Sequence, residues 1–133
     1  MKRIRALAVA AVIAGGATLG VAGPASASSF NGLCETGEVC LFWGSNYYGS
    51  LADFSNNILN YKSFYFKSSG SGQGQTLNDN SESAKNHGRV EGVQLFVDSY
   101  YRGDWIAMAP GDQFPDFGPY DNKFSSHKWY LIG

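Results

Sequence analysis

The 133-residue sequence is poor in charged residues and in the side chains that most often carry catalysis. Asp, Glu, Lys and Arg make up only 16% of it, and it contains two histidines and two cysteines. No phosphate-binding loop, nucleophile elbow, HExxH or CxxC motif occurs in the chain. His87 lies in a polar stretch typical of a surface turn, and His127 opens the last predicted strand, where a structural histidine is commoner than a general base. We therefore expect a single small domain that is not an enzyme.

Aromatic residues and glycine are abundant in the same sequence. The chain has nine Phe, eight Tyr, three Trp and 17 Gly. Aromatic side chains pack well on pleated sheets, and glycine permits the tight turns that join short strands. This composition predicts an all-β fold.

The first 27 residues have the three-part form of a secretory signal peptide. A basic start with Lys2, Arg3 and Arg5 precedes an uninterrupted apolar run, residues 6–14, and small residues end the segment at Ala27. A membrane anchor is the alternative, but the apolar run is too short and glycines interrupt its extension. We therefore expect a secreted, extracellular chain of residues 28–133. Its seven basic and eleven acidic residues give a net charge of −4, which argues against nucleic acid and membranes as partners.

The two cysteines, Cys34 and Cys40, lie close together in the predicted secreted part. In an oxidising compartment such a pair most often forms one disulfide, and the short loop between them contains a glycine that permits closure. Zinc binding is the alternative, but the two histidines are distant in sequence and no other cysteine is present. We expect one disulfide in a monomeric protein.

Two copies of an aromatic-x4-aromatic-x-Gly pattern divide the rest of the chain. Each copy is followed by a loop that starts with an Asn/Asp pair and has serine at its sixth position, residues 78–83 in the first copy and 121–126 in the second. Two elements that recur in the same order indicate a duplicated unit. The first copy of the pattern is Phe42, Tyr47 and Gly49, and the second is Phe96, Tyr101 and Gly103.

Each copy predicts about four strands, the number in a Greek key. We place the first copy at about 34–88 and the second at about 89–133. The first is longer because of residues 56–75, where an aromatic cluster precedes a Ser/Gly/Gln-rich run, 68–75, that predicts a flexible, solvated loop. The clearest predicted strands are 39–43, 50–54 and 83–84 in the first copy and 92–97, 104–108 and 127–132 in the second.

The doubled aromatic pattern with its Asn/Asp-rich loops resembles the Greek-key motif of the βγ-crystallins. The opening Cys34-x5-Cys40-Leu-Phe, both loops and the leader more specifically resemble the bacterial peptidase-inhibitor family of the SMPI type. The resemblance implies an all-β, βγ-crystallin-like sandwich of two Greek-key motifs. It also implies a secreted inhibitor whose partner is an extracellular, thermolysin-like metalloprotease.

Two features depart from this family. The founding type of inhibitor holds its reactive peptide bond inside a second disulfide loop, whereas this chain has no cysteines beyond the one pair. No reactive bond can therefore be assigned by the resemblance. In addition, Trp43 stands where the family usually has an acidic residue.

An inhibitor of this kind presents a rigid, substrate-like loop, because an ordered loop loses less entropy on binding. The apolar and aromatic segment 57–66 is the candidate, since thermolysin-like pockets suit such side chains. The favoured alternative is that its aromatic residues are core residues of an additional strand. The candidate loop residues are Asn57, Ile58, Leu59, Tyr61, Phe64, Tyr65 and Phe66.

The resemblance also implies calcium binding, the one cofactor expected, because the loops of calcium-binding βγ-crystallins supply clustered oxygen ligands. The second loop fits the ligand pattern fully, whereas Glu82 stands in the first where Ser or Thr is expected. Shifting that loop by one residue, to Asp79, Asn80 and Ser83, restores most of the pattern. A turn stabilised by local hydrogen bonds is the alternative for both loops. The candidate ligands are Asn78, Asp79, Glu82 and Ser83 in the first loop and Asp121, Asn122, Ser125 and Ser126 in the second.

A cell-wall or glycan-binding protein without inhibitory activity is a further alternative. Some secreted bacterial βγ-crystallin-like proteins resemble this chain and act in that way, and exposed aromatic rings stack on sugars. Burial in the hairpins is the competing explanation for the motif residues. The candidate rings are Trp43, Tyr47, Tyr48, Tyr100 and Trp105.

Overall fold

Seven β-strands form two antiparallel sheets in the computed structural model, which describes residues 29–132. Among these residues there is no α-helix, and no helical segment is long and apolar enough to cross a membrane. The predicted signal peptide, residues 1–27, lies outside the described residues. The strands are β1 (Val39–Phe42), β2 (Leu51–Phe54), β3 (Ser83–Asn86), β4 (Glu91–Asp98), β5 (Arg102–Met108), β6 (Gln113–Phe114) and β7 (Ser126–Leu131). Three single-turn 3₁₀ helices span Ser45–Tyr47, Tyr61–Ser63 and Gly118–Tyr120.

The first sheet has the strand order β2-β1-β3-β6 and the second the order β5-β4-β7. Their apolar faces meet in one core, so the architecture is a two-layer sandwich. The N-terminal and C-terminal halves exchange short segments across it. β6 pairs with β3 of the first sheet, while the backbone of Ile58 pairs with that of His127 in β7, with both N–O distances 3.0 Å. The predicted all-β sandwich of two Greek-key motifs is confirmed.

The two hairpins are closed by equivalent sets of hydrogen bonds. Tyr47 and Tyr101 both have φ of +61°, a left-handed conformation that turns the chain back on itself. The hydroxyl of Ser83 in β3 accepts from the N–H of Tyr47 at 2.9 Å, and that of Ser126 in β7 accepts from the N–H of Tyr101 at 3.1 Å. Each serine also donates to the carbonyl three residues before its tyrosine, at 2.6 Å. The predicted repeat is therefore a structural repeat as well.

The Ser/Gly/Gln-rich run packs against the sandwich instead of standing free in solvent. Backbone bonds tie Lys67, Ser68 and Ser71 to Ser50 and Leu51 at the start of β2, including one of 2.8 Å from the N–H of Lys67 to the carbonyl of Leu51. Gly72 lies against the indole of Trp43, so closely that a Cβ atom there would be 2.2 Å from the ring. The expectation of a flexible loop is not met, because small residues allow the backbone itself to cover an aromatic ring.

The two cysteines form a disulfide, as expected, so neither sulfur is free to bind zinc. The bond closes a ring of residues 34–40 in front of β1. Glu38 lies inside this ring with its side chain fully buried, and its Oε1 accepts from the N–H of Glu35 at 2.8 Å. Burial, followed by the charge of nearby Asp53, raises the pKa of Glu38 to about 8. The carboxyl is therefore protonated at neutral pH.

Candidate functional site

Residues 56–61 form an extended stretch, here called the Leu59 segment, that is held at both ends by one buried histidine. Nε2 of His127 lies 2.9 Å from the carbonyl oxygen of Asn56, and Nδ1 lies 2.7 Å from the hydroxyl of Tyr61. A carbonyl can only accept, so Nε2 carries the proton and Nδ1 accepts from the tyrosine. Burial lowers the pKa of His127 to about 4, which keeps the imidazole neutral at physiological pH.

Backbone hydrogen bonds fix the middle of the Leu59 segment. Ile58 is paired in both directions with β7, and the carbonyl of Leu59 accepts from the N–H of Tyr100 at 2.8 Å. The side chain of Asn57 accepts from the N–H of Trp129 at 2.8 Å. Asn57 and Ile58 are thus tied to β7, and Leu59 is tied to the turn of the second hairpin. The backbone of the Leu59 segment is therefore ordered in the unbound protein.

The side chains of the predicted inhibitory loop divide into a buried and an exposed set. Leu59 is 49% exposed and Tyr65 is 42% exposed. Leu59 is the exposed apolar side chain on the part of the loop that His127 holds. Buried are Ile58, Tyr61 and Phe66, half-buried is Phe64, and exposed are Asn57, Leu59 and Tyr65. The favoured alternative named Tyr61, Phe64 and Phe66 as core residues of an additional strand. Tyr61 and Phe66 are indeed buried and Phe64 is half-buried against the core, but Tyr61–Ser63 is a 3₁₀ helix and these residues form no strand.

The contact between His127 and the Leu59 segment could not be predicted from the sequence. The pattern around His127 indicates a structural histidine but no contact with this segment, because more than 60 positions separate the partners in sequence. A lone histidine beside a β-prone run carries no signal for a partner so distant. The one available hint was that the chain has only two histidines and that one of them lies in an apolar strand.

The two Asn/Asp loops meet across the sandwich in a reciprocal manner. Asp79 Oδ1 of the first loop accepts from the hydroxyl of Ser125 in the second at 3.2 Å. Asn122 Nδ2 of the second loop donates to Glu82 Oε2 of the first at 3.3 Å. Asp79 and Asn122 also share a φ of +60°. The loops therefore align without a shift, and Glu82 occupies the position equivalent to Ser125.

An open cavity of about 370 Å³ lies beside the Asp79–Ser125 contact. Asn78 lines this cavity, and its side-chain Oδ1 is buried without a hydrogen-bond partner. Two cations, Lys62 and Arg102, line the same cavity, and their charges oppose a divalent metal ion. The lining residues are Lys62, Asn78, Asp79, Val97, Asp98, Ser99, Arg102 and Ser125.

The other contact between the loops, that of Asn122 with Glu82, has more carboxyl groups around it. Burial raises the pKa of Asp121, and the nearby carboxylates of Asp116 and Glu82 raise it further. Within residues 29–132, however, no group of three or more His, Cys, Asp and Glu side chains is arranged to hold a metal ion. Any metal bound at either loop would depend on amide, hydroxyl and carbonyl oxygens as well.

The motif tyrosines are packing residues. Tyr47 and Tyr101 each contact the first aromatic residue of their own motif, with ring centroids 5.6 and 5.8 Å apart, and a lysine covers each ring. Trp43 is half-buried beneath Gly72. The rings that remain available to a ligand are those of Tyr48, Tyr100 and Trp105, which are 64%, 54% and 52% exposed.

Solved structures with the same fold include several crystallin-type proteins. The chain is similar to a structure from work on the evolution of the eye-lens βγ-crystallin domain fold (20% identity, TM-score 0.60), covering 84% of this chain and 96% of that one. It is also similar to a βγ-crystallin from Ciona intestinalis (18%, 0.56; 71% and 100% covered) and to spherulin 3A from Physarum polycephalum (22%, 0.55; 86% and 93% covered). At these identities the likeness shows the fold alone.

Sequence comparison supplies the family. No curated protein is similar enough to count as a match. The profile of peptidase inhibitor family I36 matches residues 27–108, which include the disulfide ring, the first hairpin, the Leu59 segment and β5. The match covers well over half of the chain and confirms the resemblance drawn from its motifs. This chain belongs to peptidase inhibitor family I36.

Proposed function

We propose that this chain is a secreted inhibitor of an extracellular, thermolysin-like metalloprotease and that it presents Leu59 to the enzyme's active site. Family membership supports the inhibitor role, and the Cys34–Cys40 disulfide is typical of an extracellular location. The observation that carries the proposal is the Leu59 segment itself. Its backbone is fixed by bonds to His127 and Tyr100, while the leucine side chain is 49% exposed.

A fixed segment binds well because little conformational freedom is lost when the protease closes on it. Because Leu59 is 49% exposed, about half of the gain for burying a whole leucine side chain remains, about 0.7–1.5 kcal/mol, which is a factor of about three to ten in affinity. The same bonds also explain how a cleavable loop could inhibit. If the enzyme cut the chain beside Leu59, Asn56 and Tyr61 would still be held by His127, so both new ends would stay in place and leave slowly.

The test compares inhibition constants of matched leucine variants. Residues 28–133 are titrated into thermolysin, and Leu59→Ala is compared with Leu33→Ala, whose side chain is 59% exposed but lies outside the segment. We expect Leu59→Ala to weaken inhibition about three- to tenfold and Leu33→Ala to leave it unchanged. Equal effects of the two variants would contradict the assignment of Leu59, and Tyr65→Ala would then identify whether the other exposed residue of the loop makes the contact.

Calcium binding at the loop cavity is a second candidate, which we also propose. It is supported by Asn78, Asp79 and Ser125, three residues with side-chain oxygens that come from two loops and line one cavity. A calcium ion there would join the loops. Because Lys62 and Arg102 line the cavity, we expect weak binding, with a dissociation constant on the order of a millimolar.

The measurement for this second candidate is the midpoint of thermal unfolding with and without excess calcium. A rise in the wild type, a larger rise in Arg102→Ala and none in Asp79→Ala are expected, because the first variant removes an opposing charge and the second removes a ligand. An unchanged midpoint in the wild type and in Arg102→Ala would contradict calcium binding at this cavity.

A further inference from the structure

The strand β5 is a long strand at the edge of its sheet. It spans seven residues and pairs with β4 alone. Within residues 29–132, no hydrogen bond joins the backbone between Gly103 and Ala107 to any segment other than β4. The side chains there are mostly exposed, including that of Trp105. A row of backbone N–H and C=O groups is thus open to a further strand.

The other sheet edges in the described part of the chain are covered or short. β2 is the counterpart of β5 in the first half, and its edge is covered by Lys67, which bonds to the carbonyl of Leu51 at 2.8 Å, and by Phe30, which bonds to the carbonyl of Asp53 at 2.7 Å. β6 has two residues and is followed by Pro115, which has no N–H to donate. β7 carries Ile58 on its outer side. The two halves repeat the same fold, so the uncovered β5 is a specific difference between them.

β5 has few of the devices that keep natural edge strands apart: two charged side chains and a register shift against β4 between Phe96 and Asp98, all in its first half. It contains neither proline nor lysine, and its last four residues, Trp-Ile-Ala-Met, are uncharged. Its two charges, on Arg102 and Asp104, are opposite in sign. The strand therefore has no net charge, although residues 28–133 carry −4, and a second copy of the same strand meets no net repulsion here.

We propose that β5 pairs antiparallel with β5 of a second copy, centred on Trp105, and that the protein is a dimer in place of the monomer expected from the sequence. A two-fold axis at Trp105 lets all seven residues of β5 pair with those of the second copy. The three-stranded sheets of the two copies then form one continuous sheet of six strands. Ile106 and Met108 face the core, so the alternating Trp105 lies on the solvent face opposite its own copy. An axis at Asp104 would instead oppose two carboxylates, which is unfavourable.

Sedimentation analysis over a range of concentrations tests the dimer. A seven-residue ladder is smaller than a standard interface, so the mass should rise from monomer to dimer only as concentration increases. Trp105→Lys and Ala107→Lys place charges on this edge and should each keep the protein monomeric. Leu131→Lys is the control, because Leu131 is 61% exposed but lies on β7. Thermal unfolding of each variant shows that the fold is intact.

A cross-linking experiment tests the register. Residue 105 lies opposite its own copy, so Trp105→Cys should form a disulfide-linked dimer under oxidising conditions. In this register residue 107 lies opposite Gly103 of the second copy, so Ala107→Cys should not form a disulfide-linked dimer. A wild type that stays monomeric at about millimolar concentration would overturn the proposal. So would a dimer that Leu131→Lys disrupts and the two β5 variants do not, or a monomer in which Trp105→Lys weakens protease inhibition, since β5 would then bind the enzyme instead.

Discussion

Acid weakens this fold through one buried imidazole. Both nitrogens of His127 are taken up, one by the Asn56 carbonyl and one by the Tyr61 hydroxyl, and the residue has no exposed surface. Protonation would place a second N–H at Nδ1, where the hydroxyl of Tyr61 now donates, and would leave a charge in the core. The pKa of Tyr61 is itself raised well above its usual value by burial, so the phenol stays neutral and supplies no negative charge to offset that of a protonated imidazole.

The direction of the effect follows from the two pKa values of His127. In the unfolded chain the imidazole takes up a proton near pH 6.5, but in the folded protein only near pH 4, because of burial. Between these values the unfolded state holds more protons, so the free energy of unfolding falls as the pH falls. At about 1.4 kcal/mol for each pH unit, the difference between pH 7 and pH 4 is about 3 kcal/mol.

Urea unfolding of the wild type and of His127→Gln at pH 7, 5.5 and 4 measures this difference. Glutamine cannot titrate but keeps an amide N–H for the Asn56 carbonyl. The stability advantage of the wild type over the variant should shrink by about 3 kcal/mol from pH 7 to pH 4. The other titrating groups are common to both proteins, so their contributions cancel in the difference between the two free energies of unfolding. Parallel pH profiles for the two proteins would refute the reasoning, as would an NMR titration that places the pKa of His127 near 6.5.

Three further perturbations test other parts of the structure. The raised pKa of Glu38, about 8, means that the folded wild type loses stability as the pH rises from about 4.5 to 8, whereas Glu38→Gln should not; thermal unfolding at pH 6 and 9 distinguishes them. Replacing Cys34 and Cys40 by serine should lower the free energy of unfolding by about 2 kcal/mol, measured in urea, because a ring of this size is no longer closed in the unfolded chain. Gly72→Ala should cost about 1–3 kcal/mol more than Gly74→Ala, because both glycines have a φ near +85° but only the first faces an indole ring; equal losses would contradict that contact.

Local pattern was sufficient to predict the two hairpins and most strands. The aromatic-x4-aromatic-x-Gly pattern places a glycine where φ is positive, +85° at Gly49 and +79° at Gly103, and this requirement lies within a few residues. The serine at the end of each Asn/Asp loop is part of the same signal, since Ser83 and Ser126 close the hairpins. The βγ-crystallin-like fold could be predicted for this reason, and the inhibitor family from the additional Cys34-x5-Cys40-Leu-Phe opening, the loops and the leader.

Contacts between distant segments were not predictable in the same way. The Ser/Gly/Gln-rich run has the composition of a linker, yet it covers Trp43 and the edge of β2, because small residues suit close packing as well as flexibility. The clamp of His127 on the Leu59 segment depends on two hydrogen bonds across the fold, and the sequence has no periodic pattern that marks them. The candidate loop of 57–66 accordingly mixed core residues with the exposed Leu59.

The most direct test of the proposed activity is the titration of a fixed amount of thermolysin with oxidised residues 28–133. Inhibition by a preordered Leu59 segment predicts that residual activity falls in proportion to added protein and reaches its minimum near one molar equivalent. Full protease activity at about a tenfold molar excess would contradict thermolysin-type inhibition by this chain.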